Sequence, residues 1–128
     1  MKSKIALAFN NCKKQERPAL ITYTVAGDNT KNNSLKILNK ISKHADILEL
    51  GLPHNTPIAD GGQIQGSSHR ALKNGIKLKD VFQIVKKLKK NNPSKPSILM
   101  GYFNLIYQSG ENKFLKNCKS SGVDGLII

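Results

Sequence analysis

A short apolar run that contains one carboxylate, residues 47–52, constrains the fold of this chain more than any other stretch. A run this short and this apolar predicts a strand buried on both faces, as in a parallel sheet covered by helices. Gly51 and Pro53 predict its end, because proline cannot donate to a sheet ladder and glycine packs poorly. Glu49 lies inside the run, where an ionised carboxylate is costly unless it is paired, hydrogen-bonded or neutral. We therefore expect a functional use for Glu49.

Similar strand-like runs alternate with helix-like segments along the chain. The sequence predicts strands over residues 19–25, 47–52, 96–102 and 126–128, and helices over residues 2–14, 31–43, 63–74, 78–91 and 110–121, with Thr30 as a helix cap. Residues 103–107 predict a loop or a short helix. Such alternation predicts parallel strands joined by right-handed crossovers. Two closures fit the pattern: an open doubly wound sheet, or part of a (β/α)8 barrel, which typically needs about 250 residues.

The charge of the chain looks at first like a nucleic-acid signal. The formal net charge is +13 over 128 residues, but Arg17 and Arg70 are the only arginines, and the lysines are spread over every predicted helix. Arginine is the residue that forks onto phosphate and guanine. We therefore interpret the charge as solvated surface and expect no nucleic-acid partner.

Neither a membrane nor a metal is indicated. No apolar run approaches the ~20 residues of a membrane span, and residues 1–7 lack the apolar core of a secretory signal. Cys12 and Cys118 are the only cysteines, with neither a pairing pattern nor metal-ligand spacing. We interpret them as idle thiols in a reducing cytosol, which predicts a cytoplasmic protein.

Candidate functional side chains follow the predicted strands. Asp60 lies in the loop that leaves the second strand, and Tyr102 lies at the end of the third. In either α/β architecture, ligands bind at the carboxyl ends of the strands, which is where Glu49 also points. A buried carboxyl can carry a proton at a raised pKa, whereas a wetter, hydrogen-bonded one stays ionised.

The segment with the two acids resembles the signature of the tryptophan synthase alpha chain family. The residues that match are Leu48-Glu49-Leu50-Gly51, Pro53 and Pro57-Ile58-Ala59-Asp60-Gly61. A strand followed by Gly27-Asp28 and a helix is also similar to the family's opening, and Tyr102, Asn104 and Leu105 match a further family segment. The family usually has an aromatic residue, a serine and an acid at the positions of His54, Asn55 and Thr56.

The resemblance decides between the two closures. It implies a (β/α)8 TIM-barrel type of α/β fold, of which this chain supplies the first four strands only. We expect residues 1–128 to form a single domain, the N-terminal part of the barrel. We interpret the final apolar strand, which no helix follows, as a truncation, because an uncovered strand invites pairing with other chains. A complete four-stranded α/β domain is the alternative.

The resemblance also implies an activity. The family is a lyase of tryptophan biosynthesis, which cleaves indole-3-glycerol phosphate to indole and glyceraldehyde 3-phosphate in a retro-aldol reaction. By this resemblance Glu49 is the acid–base residue, and Asp60 accepts the indole N–H and stabilises positive charge on the ring. An apolar slot for indole would be supplied by Tyr23, Ile64, Met100 and Tyr102, for which core packing is the alternative.

Partners follow from the same resemblance. It implies no cofactor in this chain and an alpha2beta2 tetramer with a beta chain that carries pyridoxal phosphate. The loop with Thr56 would take part in that contact, although Thr56 lacks the charge of the family's acid; we give His54 no role.

The phosphate site is missing from this sequence. Such barrels usually build a phosphate cradle after strands seven and eight, so we expect this chain to be inactive alone. The alternatives are another phosphate-substrate TIM-barrel enzyme, an inactive half-barrel, or a basic nucleic-acid-binding module.

Overall fold

Strands and helices alternate in the structure, a computed structural model that describes residues 3–128. The strands are β1 (Ile21–Val25), β2 (Ile47–Gly51), β3 (Ser97–Met100) and β4 (Gly125–Ile127). The helices are α1 (Lys4–Lys14), α2 (Lys31–Ile41), α3 (Gly62–Lys73), α4 (Leu78–Asn91), α5 (Phe103–Ser109) and α6 (Glu111–Ser121). Each predicted element is present, α4 with the predicted bounds; the first two residues of the chain, which include the predicted start of α1, lie outside the described part.

The strands form one parallel sheet in the order β1-β2-β3-β4, which confirms the predicted parallel pairing. Two rows of paired residues cross the sheet. The first row is Tyr23, Glu49, Ile98 and Gly125, and the second is Val25, Gly51, Met100 and Ile127. Because the second row lies at or near the last residue of every strand, the carboxyl ends meet at one rim of the sheet.

The core lies between the sheet and the helices packed on one of its faces. β2 is buried on both faces as predicted, and Leu48 and Leu50 are fully enclosed. They pack in a cluster with buried side chains of α2, α4 and α6, which are Leu38, Val81, Val85, Leu88 and Phe114. Side chains alternate between the two faces of a strand, so Glu49 points to the opposite face from this core.

Two large apolar residues, one on α2 and one on α6, lie outside the core. Ile37 is 49% exposed and Leu115 is 52% exposed, whereas the neighbouring Leu38 and Phe114 are buried. Successive residues of an α-helix are rotated by about 100°, so the residue beside a core position falls off the buried stripe. The predicted cap of α2 is confirmed, since Thr30 Oγ1 accepts a hydrogen bond from the Asn33 backbone N–H at 3.1 Å.

The amino-terminal end of the sheet is covered by α1. Lys4 Nζ donates to the Pro93 carbonyl oxygen at 2.7 Å. After α1, both terminal nitrogens of Arg17 donate to the carboxylate of Asp46 at 2.8 Å, and this pairing holds the pKa of Asp46 well below its usual range. The first helix and its turn therefore close one end of the sheet and leave the carboxyl rim for a ligand.

Candidate active site

Glu49 lies in the middle of the first register row, beside Tyr23 of β1 and Ile98 of β3. Its side chain is partly buried, and burial raises the pKa of this carboxyl. In an apolar setting the neutral acid is favoured over the carboxylate, so Glu49 holds a proton at higher pH than an exposed glutamate does. This is the behaviour that the apolar run around Glu49 predicts.

Asp60 reaches the rim from the β2–α3 loop, residues 52–61. Tyr102 Oη donates a hydrogen bond to Asp60 Oδ2 at 3.2 Å, and the same hydroxyl accepts one from the Ala59 backbone N–H at 3.0 Å. Gln65 Nε2 donates to the Asp60 carbonyl oxygen at 2.8 Å. Tyr102 directly precedes α5 at the end of β3, so one side chain of the third strand-to-helix connection anchors the loop of the second.

Tyr23 lies within the electrostatic reach of both carboxyls. Burial, together with the negative charges of Asp60 and Glu49, raises the pKa of Tyr23 to about 12. Its hydroxyl lies over Gly51, where a Cβ atom would be only 2.0 Å from Tyr23 Oη. A glycine at the end of β2 is therefore what lets the tyrosine ring lie across the rim.

Tyr23, Asp60 and Tyr102 border a cavity of about 290 Å³, here called the rim cavity, whereas Glu49 is not among its lining residues. Its lining is mostly apolar with a single carboxylate: Tyr23, Leu52, Ala59, Asp60, Met100, Gly101, Tyr102, Phe103 and Ile128. Three of the four predicted indole contacts therefore meet here. The fourth, Ile64, lines an adjoining cavity of about 470 Å³, which shares Tyr23 with the rim cavity.

Some lining residues had no signal in the sequence pattern. Leu52 and Phe103 both border the rim cavity, and each looks like an ordinary apolar residue in the printed sequence. Gly101 gives a better clue, because a Cβ atom there would lie 2.8 Å from the Leu52 side chain. A glycine directly after a strand marks a close approach of this kind.

A larger cavity of about 830 Å³, the outer groove, lies between the β2–α3 loop and α3. It is lined by His54, Asn55, Pro57, Gly62, Gln65, Gly66, His69, Leu72 and Lys73, and neither Glu49 nor Asp60 borders it. Size alone therefore does not identify the site; the Asp60 carboxyl and the slot between Tyr23 and Tyr102 favour the rim cavity.

The described part of the chain contains neither a membrane-spanning helix nor a cluster of metal-binding side chains. Among residues 3–128 no helix is long and apolar enough to cross a bilayer. Within the same residues no three His, Cys, Asp or Glu side chains are grouped so that they could hold a metal ion. Cys12 and Cys118 are free and buried.

The comparison with known proteins decides the family. A sequence model described as tryptophan synthase alpha chain matches residues 9–128. The chain belongs to this family. The tryptophan synthase alpha chain of Pelagibacter ubique (strain HTCC1062) is 67% identical over 126 residues, which make up 98% of this chain and 48% of the relative. The chain therefore spans about half the length of the curated relatives that it matches.

Solved structures agree with the family assignment. A chain from Aquifex aeolicus VF5 has a TM-score of 0.95 at 37% identity and matches 99% of this chain and 51% of its own. A structure described as the tryptophan synthase a2b2 complex from Pyrococcus furiosus has a TM-score of 0.81 at 46% identity, over 84% of this chain and 46% of its own. The predicted TIM-barrel type of fold is confirmed, and the four strands form an α/β half-barrel within it.

Proposed function

We propose that this chain supplies the acid–base half of an active site that cleaves indole-3-glycerol phosphate to indole and glyceraldehyde 3-phosphate. One observation carries the proposal: the charges of Glu49 and Asp60 both act on the half-buried Tyr23 at one rim of the sheet. Burial raises the pKa of Glu49, and a hydrogen bond from Tyr102 holds Asp60. Two carboxyls in unlike environments are the arrangement that acid–base chemistry needs. Membership of the tryptophan synthase alpha chain family supports the choice of substrate.

Glu49 would carry the proton in this reaction. The bond that breaks joins C3 of the indole ring to the hydroxyl-bearing carbon of the glycerol chain. Protonated Glu49 gives its proton to C3, and the ring nitrogen becomes positively charged. The resulting carboxylate takes the hydroxyl proton, the O–H electron pair forms the aldehyde C=O, and the C–C electron pair restores the aromatic ring. Glu49 ends protonated again, so a pKa raised towards neutrality suits both transfers.

Asp60 would stabilise the charged ring. Tyr102 occupies Asp60 Oδ2, which leaves Oδ1 to accept the indole N–H. A fixed negative charge beside that nitrogen favours the transition state, in which positive charge develops on the ring. Tyr23, Met100 and Tyr102 would form the walls that hold the flat ring, with Ile64 contacting it from the adjoining cavity.

The phosphate group requires residues outside this sequence. Barrels of this type usually bind phosphate after strands seven and eight, and the chain spans 48% of its Pelagibacter ubique relative. We therefore propose that residues 1–128 bind the indole ring but release little indole from the phosphorylated substrate.

A beta-chain partner is part of the same proposal. The Pyrococcus furiosus neighbour is described as a member of an a2b2 complex. We propose that this chain docks through the β2–α3 loop on a beta chain with pyridoxal phosphate, in an alpha2beta2 tetramer. The free, buried thiols are in keeping with a cytoplasmic location.

The test uses a chimera in which residues 1–128 are joined to the second half of the Pelagibacter ubique relative, and it measures indole release. The chimera should be active. Glu49→Gln should lower kcat by about 100-fold to 10,000-fold, and Asp60→Asn by about 100-fold. Glu111→Gln, at an exposed acid at the start of α6, is the matched control and should keep full activity.

Two results would oppose the proposal. An active chimera in which Glu49→Gln retains kcat within about threefold would exclude the acid–base role. Appreciable indole release by residues 1–128 alone would contradict the missing phosphate site and leave the role of Glu49 to be judged by the variants.

A further inference from the structure

The β2–α3 loop holds Tyr102 from two sides, and this points to a residue that the sequence pattern leaves without a role. We infer that His54 is a positioning residue for Asp60: its imidazole packs on the ring of Tyr102, whose hydroxyl holds the Asp60 carboxylate. The inference rests on the proposed function, because it concerns the same site.

The ring contact has the geometry of an aromatic pair. The centroids of His54 and Tyr102 are 4.9 Å apart, with 30° between the ring planes. Favourable aromatic pairs have centroid separations of about 4.5–7 Å and tilted or offset rings. His54 is partly buried although it lies in a loop, as expected for a side chain with one face covered by another ring.

The hydroxyl of Tyr102 joins two residues of the β2–α3 loop, Ala59 and Asp60. A phenol has one proton to donate and lone pairs to accept. Here the proton goes to Asp60 Oδ2 at 3.2 Å, and a lone pair receives the Ala59 N–H at 3.0 Å. Both bonds have the right direction only while the ring is correctly rotated, and the His54 imidazole covers one side of that ring.

The β2–α3 loop therefore contacts the Tyr102 side chain at two places, the ring and the hydroxyl. Residue 54 contacts the face of the ring, and residues 59 and 60 contact its hydroxyl. His54 also borders the outer groove, whose lining includes the titratable groups His69 and Lys73 of α3. His54 thus lies between the outer groove and the rim cavity, and removing its ring frees Tyr102 on one side.

Three variants test this role in the 128-residue chain. His54→Ala removes the stack, His54→Phe keeps an aromatic ring without nitrogen atoms, and His69→Ala is the control in the same groove but outside the stack. The chain has three tyrosines and no tryptophan, so the Tyr102 ring protons can be assigned by NMR. Calorimetry with indole as the probe gives the binding constant.

His54→Ala should shift the Tyr102 ring resonances and weaken indole binding by about twofold to tenfold, the range that corresponds to the loss of one aromatic pair. His54→Phe should restore both values, and His69→Ala should leave both unchanged. In a double-mutant cycle, His54→Ala should add little to Tyr102→Phe, because the hydroxyl that the stack orients is already gone.

Unchanged Tyr102 resonances in His54→Ala would overturn the inference, as would a His54→Phe variant as defective as His54→Ala, or full additivity in the cycle. The NMR signature needs no substrate. It can therefore fail while the chimera still cleaves indole-3-glycerol phosphate, or hold while the proposed reaction fails, so the two failures are distinguishable.

Discussion

Gly51→Ala is the substitution that tests most directly how the rim is built. A Cβ atom at this position would lie 2.0 Å from Tyr23 Oη and 2.6 Å from Tyr23 Cζ. To reach the 3.4 Å at which ordinary contact begins, the tyrosine hydroxyl must retreat by about 1.4 Å from its present 2.0 Å. The backbone of Gly51 cannot give way easily, because it is paired with both β1 and β3.

The expected cost follows from two opposing effects. Overpacking a filled site costs about 1–3 kcal/mol, and the adjacent rim cavity gives Tyr23 room to shift, which keeps the cost below the top of that range. Replacing a strand glycine by alanine returns about 0.5–1 kcal/mol. We expect the free energy of unfolding to fall by about 1–2 kcal/mol, which moves the urea midpoint down by roughly 1 M for a chain of this size.

The ionisation of Tyr23 provides the second readout. The pKa of about 12 depends on burial and on the charges of Asp60 and Glu49, so a displaced ring should ionise at lower pH. Because the folded pKa is raised, Tyr23 contributes stability that is present below the unfolded pKa of about 10 and is lost as the pH rises through the folded pKa. Gly51→Ala should reduce this alkaline loss of stability.

Gly62→Ala is the matched control, since nothing lies within 4 Å of a Cβ atom at that first position of α3. It should be neutral or stabilising by up to about 1 kcal/mol, because alanine favours a helix. If Gly51→Ala proves as harmless as Gly62→Ala and the tyrosine absorbance titration is unchanged, the contact between Tyr23 and Gly51 does not exist and the rim is built differently.

Two further predictions concern carboxyl groups. Burial raises the pKa of Glu49. The contribution of Glu49 to stability is therefore present below about pH 4 and is lost at higher pH. Glu49→Gln should raise the urea midpoint at about pH 7 and change it little near pH 4. Arg17 lowers the pKa of Asp46, so the contribution of Asp46 to stability is present at neutral pH and is lost in acid. Asp46→Asn should lower the urea midpoint at about pH 7 and have a smaller effect near pH 2. Reversed pH dependence would refute the burial of Glu49 in the first series and the pairing of Arg17 with Asp46 in the second.

Local patterns predicted the elements well where a single helix face or strand decides the outcome. The α4 bounds were correct because Asp80 lies in its first turn and the chain reaches Asn92 and Pro93 directly after it. β1 is shorter than predicted, because it begins at Ile21. The Leu20 carbonyl oxygen accepts a hydrogen bond from the Asp46 backbone N–H, but Leu20 lies just before the strand. A propensity pattern identifies a strand but not where its ladder stops.

The site was harder to predict, because its contacts join residues that are distant in the sequence. The hydroxyl of Tyr102 meets Asp60 across 42 positions, and no spacing rule connects a loop to the end of another strand. The sequence pattern also gave His54 no role, since a loop histidine without a partner looks like surface. Its aromatic contact emerges only once the sheet register places β3 beside β2.

The register of the sheet separates the part of the site that binds the ring from the part that would bind phosphate. In a parallel sheet the relative height of two side chains depends only on the pairing of their own strands, and β1, β2 and β3 are all within this chain. Tyr23 and Glu49 are paired directly across β1 and β2, and Tyr102 follows β3, so strand pairs within this chain set their relative positions. A phosphate cradle after strands seven and eight would depend on strand pairs that this sequence does not contain. Ring recognition should thus survive in the 128-residue chain while turnover does not, and separate measurements of indole binding and indole release can distinguish the two.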